Sequence, residues 1–393
     1  MNRSYRPYAT FSDLPPERTW AEIDLCALRE NYRALCAAIG CSDRKIRPIA
    51  VVKASAYGHG TPACVRALMD AGCDFFAVSC MEEAIEVRRA CGGRHPDILI
   101  LGYTAPTLAV ELAGGDIIQT LLSERYAEDL QREALRAGVR VRTHVALDTG
   151  MNRIGFPAQS GEEIEETVRA IFRVRVCENL QIEGLFTHFA RADEAESIAA
   201  TDRQVERFCA VRERLLRGGM QIPFCHVCNS AGALRRPNDG MDGVRLGIAL
   251  YGVCPLEKTT VPLRPVMRLC TTVTHIHRVS DGAKIGYGGV WVAKGERVIA
   301  TLPIGYADGW LRAYSGASVT VSTETGKYTV PIVGRICMDQ CMIDMTGTDA
   351  RVGDTVTLFG GDAQALSALA ARAGTIEYET LCLISSRVPR VYV

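Results

Sequence analysis

Short apolar runs alternate with amphipathic stretches through the first two-thirds of the chain. "IRPIAVVKA", "DFFAVS", "DILILGY", "DIIQTLLS", "VRVRTHVALD", "IEGLFTHF", "PFCHVCNS" and "GVRLGIALYG" have strand length and mainly apolar character, about eight runs in all. Segments such as "PACVRALMDAG", "MEEAIEVRRACG", "APTLAVELAGG", "YAEDLQREALRAG" and "TDRQVERFCAVRERLLRGG" separate them, with apolar residues at helical spacing and several glycine stops. Apolar strands divided by helices predict a parallel sheet covered on both faces. Eight such units closing on themselves form a (β/α)8, TIM-type barrel. After Pro265 the pattern changes to alternating strands broken by Gly, Asp and Thr turns: "VMRLCTTVTHIHRVS", "RVIATLPIGY", "ASVTVST", "YTVPIVGRICMDQCMIDM" and "DTVTLFGG". Helical signal there is confined to "AQALSALAARAG". An α/β chain is therefore expected, with a barrel domain over residues 1–266 and a mostly antiparallel β domain over 267–393. The first ~25 residues are candidates to pack with the β domain.

Composition narrows the function class. Lysine plus arginine and aspartate plus glutamate both number 45, for a net charge of zero. That argues against a nucleic-acid partner, which needs a basic surface. The 16 cysteines are scattered, and "CHVC" (Cys225–Cys228) has no second pair at zinc-ribbon spacing, so no metal is expected. A secreted chain would pair such thiols, so a cytoplasmic protein is expected. "MNRSYRPYATFSDLPPERTW" lacks an apolar signal-peptide core, and no run has the length of a membrane span.

Barrel active sites lie at the C-terminal ends of the strands. There the sequence puts Lys53 after strand one, Asp148 after strand five, His188 after strand six, Asn229 and Ser230 after strand seven, and Arg245 and Gly247 on strand eight. Each alone reads equally well as a solvated or core residue; together on one rim they suggest a site. A lysine at a barrel mouth is a candidate for a Schiff base with an aldehyde. Gly58 and Gly60 allow the next turn. "CNSAGAL" and "RLGI" offer hydroxyl and backbone donors for a phosphate after strands seven and eight. An aldehyde and a phosphate together suit pyridoxal 5'-phosphate. Dinucleotide and P-loop motifs, HExxH and carboxylate clusters are missing from the sequence.

From Trp20 onward, "WAEIDLCALRENYR", "VVKASAYGHG", "LDTGMNRIGF", "GLFTHFA", "HVCNSAGAL", "VRLGIALYG", "IGYGGVW", "LPIGYADGW", "GRICMDQCMID" and "ISSRVPRVYV" follow one another as in the alanine racemase family, which the chain resembles. The resemblance implies a fold type III, pyridoxal-phosphate-dependent racemase serving D-alanine biosynthesis. Lys53 matches the Schiff-base lysine and first base, acting on the D-isomer; Tyr287 matches the second base, acting on the L-isomer from the opposite face of the Cα. Ordinary lysine and tyrosine side chains ionise near about 10, so both need tuning to serve as bases. Arg245 matches the partner of the pyridine nitrogen, and His188 a residue that hydrogen-bonds this arginine. Tyr57, Asn229, Ser230, Gly247, Ile248 and Tyr378 match the phosphate pocket. Arg153 and the backbone of Met338 match the holders of the substrate carboxylate. Tyr287, Tyr306, Met338 and Tyr378 lie in the β domain, which in the family reaches a second subunit's barrel, so a homodimer with shared sites is implied.

Three positions depart from the family pattern. Ala146 stands where a carbamylated lysine often supports the arginine, Ser55 where Asn or Asp is frequent, and Ser386 where tyrosine is common. An unpartnered buried Arg153 would cost about 3–5 kcal/mol, so chloride or another small anion is expected beside it. The small pocket implied by Tyr378 and its neighbouring tyrosines favours alanine. Alternatives are a serine or broad-specificity racemase, a barrel-type decarboxylase using Cys337 or Cys341, and a non-enzymatic pyridoxal-phosphate carrier; the second domain and the tyrosine of "GYGG" count against the last two.

Overall fold

The computed structural model describes residues 18–393 other than 237, 238, 240, 258 and 362. Most of the N-terminal stretch read above for a signal peptide therefore lies outside the described residues. Two compact units divide the chain, one spanning Cys26–Arg264 and the other joining the segment that ends at Leu25 to Pro265–Val393.

Strand β1, Thr19–Ile23, belongs to the second unit. The first unit contains β2 (Arg47–Val51), β3 (Phe75–Val78), β4 (Asp97–Ile100), β5 (Ile118–Leu121), β6 (Val141–Asp148), β7 (Leu180–Thr187), β8 (Phe224–His226) and β9 (Gly243–Leu246). Neighbours pair in parallel in that order, and β9 returns to β2 with Val244 opposite Pro48, so the eight strands close into the expected barrel. All residues of β3 and β5 are buried, so β3 reads as an unbroken apolar run, while β5 buries the polar Gln119 and Thr120 between Ile118 and Leu121. Helices cover the outside. Glu124–Ala137 starts where the Ser123 side chain accepts from the Tyr126 N–H and stops at Gly138, whose φ of 67° is the left-handed conformation that glycine tolerates. It buries Tyr126, Ala127, Leu130 and Ala134, one face of the helix. The β6–β7 ladder carries an irregularity between Thr143 and His144: Thr143 faces Ile182 but His144 faces Gly184.

The second unit is built on a nine-stranded sheet. After β1 come β10 (Met267–Thr272), β11 (His275–Val279), β12 (Arg297–Leu302), β13 (Ser318–Ser322), β14 (Lys327–Val333), β15 (Cys341–Asp344), β16 (Thr355–Phe359) and β17 (Arg390–Tyr392), in the spatial order β11-β12-β15-β14-β13-β16-β10-β1-β17. The strands pair antiparallel except β1 with β17, where Glu22 faces Val391 in a parallel register. On its other side β1 pairs antiparallel with β10, Trp20 opposite Cys270. "AQALSALAARAG" contains the helix Ala363–Ala373; a further short helix, Glu377–Cys382, carries Tyr378 and had no recognised signal in the sequence.

Candidate active site

Strand β2 ends at Val51, and Lys53 opens an unusual turn. Ala54, Ser55, Ala56 and Tyr57 all have φ between 52° and 54°, a left-handed helical turn built from residues with side chains. Its hydrogen bonds run from Ala56 N–H to Val52 O and from Gly58 N–H to Ala54 O, both 2.9 Å. Left-handed backbone costs an L-residue roughly 1–2 kcal/mol, so small side chains suit these positions. The sequence reading put the bending at Gly58 and Gly60, and the structure starts it four residues earlier, at Ala54. Glu83 holds the turn: one carboxylate oxygen accepts from Ala54 N–H at 2.6 Å and the other from Ser79 N–H at 2.7 Å. Neither contact was foreseen, because an acidic residue in the first turn of a helix is ordinary.

The turn delivers Tyr57 to the ends of β8 and β9. A Cβ added to Gly247 would lie 2.7 Å from the Tyr57 hydroxyl and 3.9 Å from Ser230 Oγ, so glycine is what lets the three converge. Ser230 Oγ accepts from the Gly247 N–H at 2.8 Å, and the Tyr57 ring lies 4.9 Å from that of Tyr251. Asn229 caps the helix Ser230–Arg235, its Oδ1 accepting from Gly232 N–H at 2.9 Å, while Ile248 opens a helical turn directly after β9. The Tyr57 and Ser230 hydroxyls and the Gly247 backbone thus gather at the ends of β8 and β9.

Arg245 lies inside the barrel, only 2% exposed. A guanidinium has five N–H donors. Four are taken: Nη1 donates to His226 Nδ1 and, at 3.1 Å, to His226 O; Nη2 donates to Thr187 O at 2.6 Å and Val227 O at 2.9 Å. The fifth, on Nε, is buried without a partner. Burial lowers the guanidinium's pKa to about 10, which still leaves it protonated at neutral pH. The resemblance made His188 the arginine's hydrogen-bonding partner; the structure gives that role to His226 and three carbonyls. His188 is instead a neighbour by charge: burial first, then Arg245, Arg153 and Lys53, hold its imidazole well below the ordinary range. The signal for His226 was a histidine within an apolar barrel strand.

Lys53, Arg153, His188, Ala146 and Ser79 line one cavity of about 310 Å³. Tyr287, Met338 and Tyr378 lie in the other unit. Tyr287 stands on a turn framed by the pairing of Ile285 with Trp291 and is 72% exposed; it lines a cleft of that unit with Lys284, Cys337 and Met342. Met338 O accepts from Ala307 N–H at 3.0 Å, and this contact needs Gly305, where a Cβ would be 2.3 Å from Met338 O.

Residues 23–255 match the family model for the alanine racemase N-terminal domain, and 266–392 that for the C-terminal domain. An alanine racemase of Methanococcus maripaludis is 38% identical over 95% of this chain and 98% of its own length. One from Clostridium tetani is 39% identical over 98% and 97%. Among solved structures, alanine racemase of Clostridium difficile 630 superposes with a TM-score of 0.88 at 36% identity, covering 97% of each chain. The chain belongs to the alanine racemase family. Against that family pattern, Ala146 leaves its side of the cavity without a charge. Asp148 cannot supply one, because its Oδ1 accepts from the N–H groups of Gly150, Met151 and Asn152, each at 3.0 Å. One expectation is corrected: Arg153 is exposed, not buried, so a buried-charge penalty does not apply to it in the single chain.

Proposed function

We propose that this chain interconverts L-alanine and D-alanine, with pyridoxal 5'-phosphate as cofactor and Lys53 and Tyr287 as paired bases. The observation that carries the reading is the unpartnered Nε–H of Arg245, a residue whose charge, like that of Lys53, acts on the buried His188. A pyridine nitrogen is an acceptor and matches that donor. An arginine there keeps its own proton and leaves the ring nitrogen unprotonated. Tyr57, Ser230, Gly247 and Ile248, with Asn229 shaping their loop, suit the phosphate, and Tyr378 belongs to the same group by family pattern. When bound, the cofactor supplies an electron sink that acidifies the substrate Cα–H.

The chain's own residues move the proton. Lys53 Nζ removes it from one face of D-alanine and Tyr287 Oη returns one to the other face; from L-alanine the roles reverse. Two bases invert the centre without turning the substrate. Arg153 and the main chain at Met338 hold its carboxylate. Tyr287, Val290, Val292, Tyr306 and Met338 are exposed in the second unit, which supports a homodimer in which they cover a partner's barrel mouth. Sixteen free thiols fit a reducing cytoplasm. No helix among the described residues is long and apolar enough to cross a membrane. With Arg153 exposed in the single chain, the ground left for a chloride-sized anion beside it is the negative charge that Ala146 does not supply in the family pattern.

Racemisation of L-Ala, L-Ser, L-Lys and L-Arg measured side by side tests it, with the highest kcat/KM expected for alanine; a higher value for another substrate overturns the specificity. Lys53→Ala should lose both racemisation and the borohydride-sensitive absorbance band. Tyr287→Ala should lose deuterium wash-in at Cα from L-alanine far more than from D-alanine, and equal loss would count against two bases. Activity should rise with chloride at fixed ionic strength; indifference to halide rejects the anion.

A further inference from the structure

The hydrogen bonds of Arg245 continue beyond His226. Arginine can only donate, so His226 Nδ1, which receives Nη1–H, is an unprotonated acceptor. A neutral imidazole then carries its proton on Nε2. That nitrogen lies 3.1 Å from His144 Nδ1, which accepts in turn and leaves the His144 proton on its own Nε2. Both rings are buried, His144 to 2% exposure and His226 completely. Burial first, then the charges of Arg142, Arg245 and Arg47, draws His144 down to about 3, against an opposing pull from Asp97. Burial, Arg245 and His144 likewise hold His226 far below its ordinary value, so both rings are neutral at physiological pH.

The barrel makes room for this pair. A Cβ at Gly184 would meet His144 ring atoms at 2.5 Å, and the irregularity of the β6–β7 ladder is what sets Gly184 opposite His144. Phe186 stacks on His226 at 4.9 Å and 10°, with the Arg245 guanidinium carbon 5.3 Å from the same ring. Phe75 meets the His144 ring edge-on at 6.1 Å. A histidine serving only to fill space would be replaced without loss by an apolar side chain. Here the alternative His226 tautomer would aim Nδ1–H at the guanidinium donors.

We infer that His144 is a positioning residue for the reaction: its hydrogen bond to His226 fixes the tautomer that accepts from Arg245, and this holds the guanidinium with its fifth donor free for the ring nitrogen. The inference rests on the proposed role of Arg245. Histidine-selective 15N NMR of the cofactor-free protein reports the tautomers whether or not the chain racemises alanine. With resonances assigned through His144 and His226 variants, both rings should be neutral Nε2–H tautomers, without titration between about pH 5.5 and 9. A His226 proton on Nδ1, or a cationic ring in that range, overturns the relay. In the loaded enzyme, His144→Leu should lower kcat at least about tenfold with KM nearly unchanged, part of the roughly 10²–10³ lost when a preorganised donor is removed. His144→Asn, whose side-chain oxygen replaces the acceptor, should recover most of it. A folded His144→Leu protein with intact kcat, or a His144→Asn protein as impaired as His144→Leu, overturns the positioning role. If His144→Leu does not fold, the tautomers of the unsubstituted protein and the His144→Asn turnover decide.

Discussion

Gly247 is the residue on which the proposed phosphate site turns. A methyl group there would sit 2.7 Å from the Tyr57 hydroxyl, closer than atoms can approach, and Tyr57 is held from behind by the Tyr251 ring. Gly247→Ala should therefore push the hydroxyl out of the cluster and weaken pyridoxal-phosphate binding by about tenfold or more, equivalent to ~1.4 kcal/mol. Cofactor titration of the stripped protein measures it, and unchanged affinity would move the phosphate elsewhere. Arg245 is a different kind of residue. Its side chain is fixed by acceptors from β7, β8 and the residue after β8. The family motif marked the arginine, but only the closed barrel brings those acceptors to it.

Among the elements, the Lys53–Tyr57 turn and the lower rim of the barrel are opposites in design. The turn spends conformational energy to position a reactive amine and a tyrosine. At Ser55, with φ 54° and ψ 48°, glycine would remove a strain of about 1–2 kcal/mol and add about 0.5–1 kcal/mol of chain entropy cost. Ser55→Gly should raise the melting temperature by about 1–2 °C; a fall would mean that Ser55 makes a contact worth more than the strain. The lower rim is a stabilising device. Arg47 Nη1 donates to Asp97 Oδ2 at 2.6 Å, and Arg142 reaches Asp97 at 2.8 Å, Asp116 at 3.1 Å and Glu183 at 2.9 Å. Burial alone would raise the Asp97 carboxyl, but the Arg47 hydrogen bond and the charges of Arg142 and Arg47 outweigh it and hold the pKa below the usual carboxylate range. A depressed folded-state pKa contributes stability that is complete above the unfolded value, near about 3.9, and is lost as pH falls through the lower folded value. The stability gap between the protein and its Asp97→Asn variant should thus be constant above about pH 5 and close below about pH 4. A gap that does not vary with pH would show that Asp97 contributes through packing alone.

For the whole molecule, the division of labour is between two units of one chain. Lys53, Tyr57 and Arg245 belong to the barrel; Tyr287, Met338 and Tyr378 belong to the β unit. If a site needs the barrel of one copy and Tyr287 of another, then Lys53→Ala and Tyr287→Ala subunits, each inactive, should regain activity on mixing, because a hybrid dimer holds one intact site of its two. Subunit exchange demonstrated by mass difference, with no recovered activity, would reject the shared site.

The sequence by itself determined the order and kind of the elements. Strands buried on both faces are mainly apolar, so β2 to β9 could be counted from their runs, and the change to alternating strands after Pro265 marked a second kind of sheet. It also carried Lys53, Arg245 and Tyr287, since their motifs are local in the chain. Tertiary structure decided what no local pattern records. The first residues were candidates for the β domain, but not the partners of β1, which are β10 and β17, about 250 and 370 residues away along the chain, because strand pairing depends on what else folds beside it. Side-chain identity alone does not give the sign of φ at Ala54 to Tyr57, which is strained and persists only where surrounding contacts such as Glu83 hold it. The partnership of Arg245 with His226, and of His226 with His144 some 82 positions earlier, exists only once the barrel closes and leaves buried donors and acceptors no water to turn to.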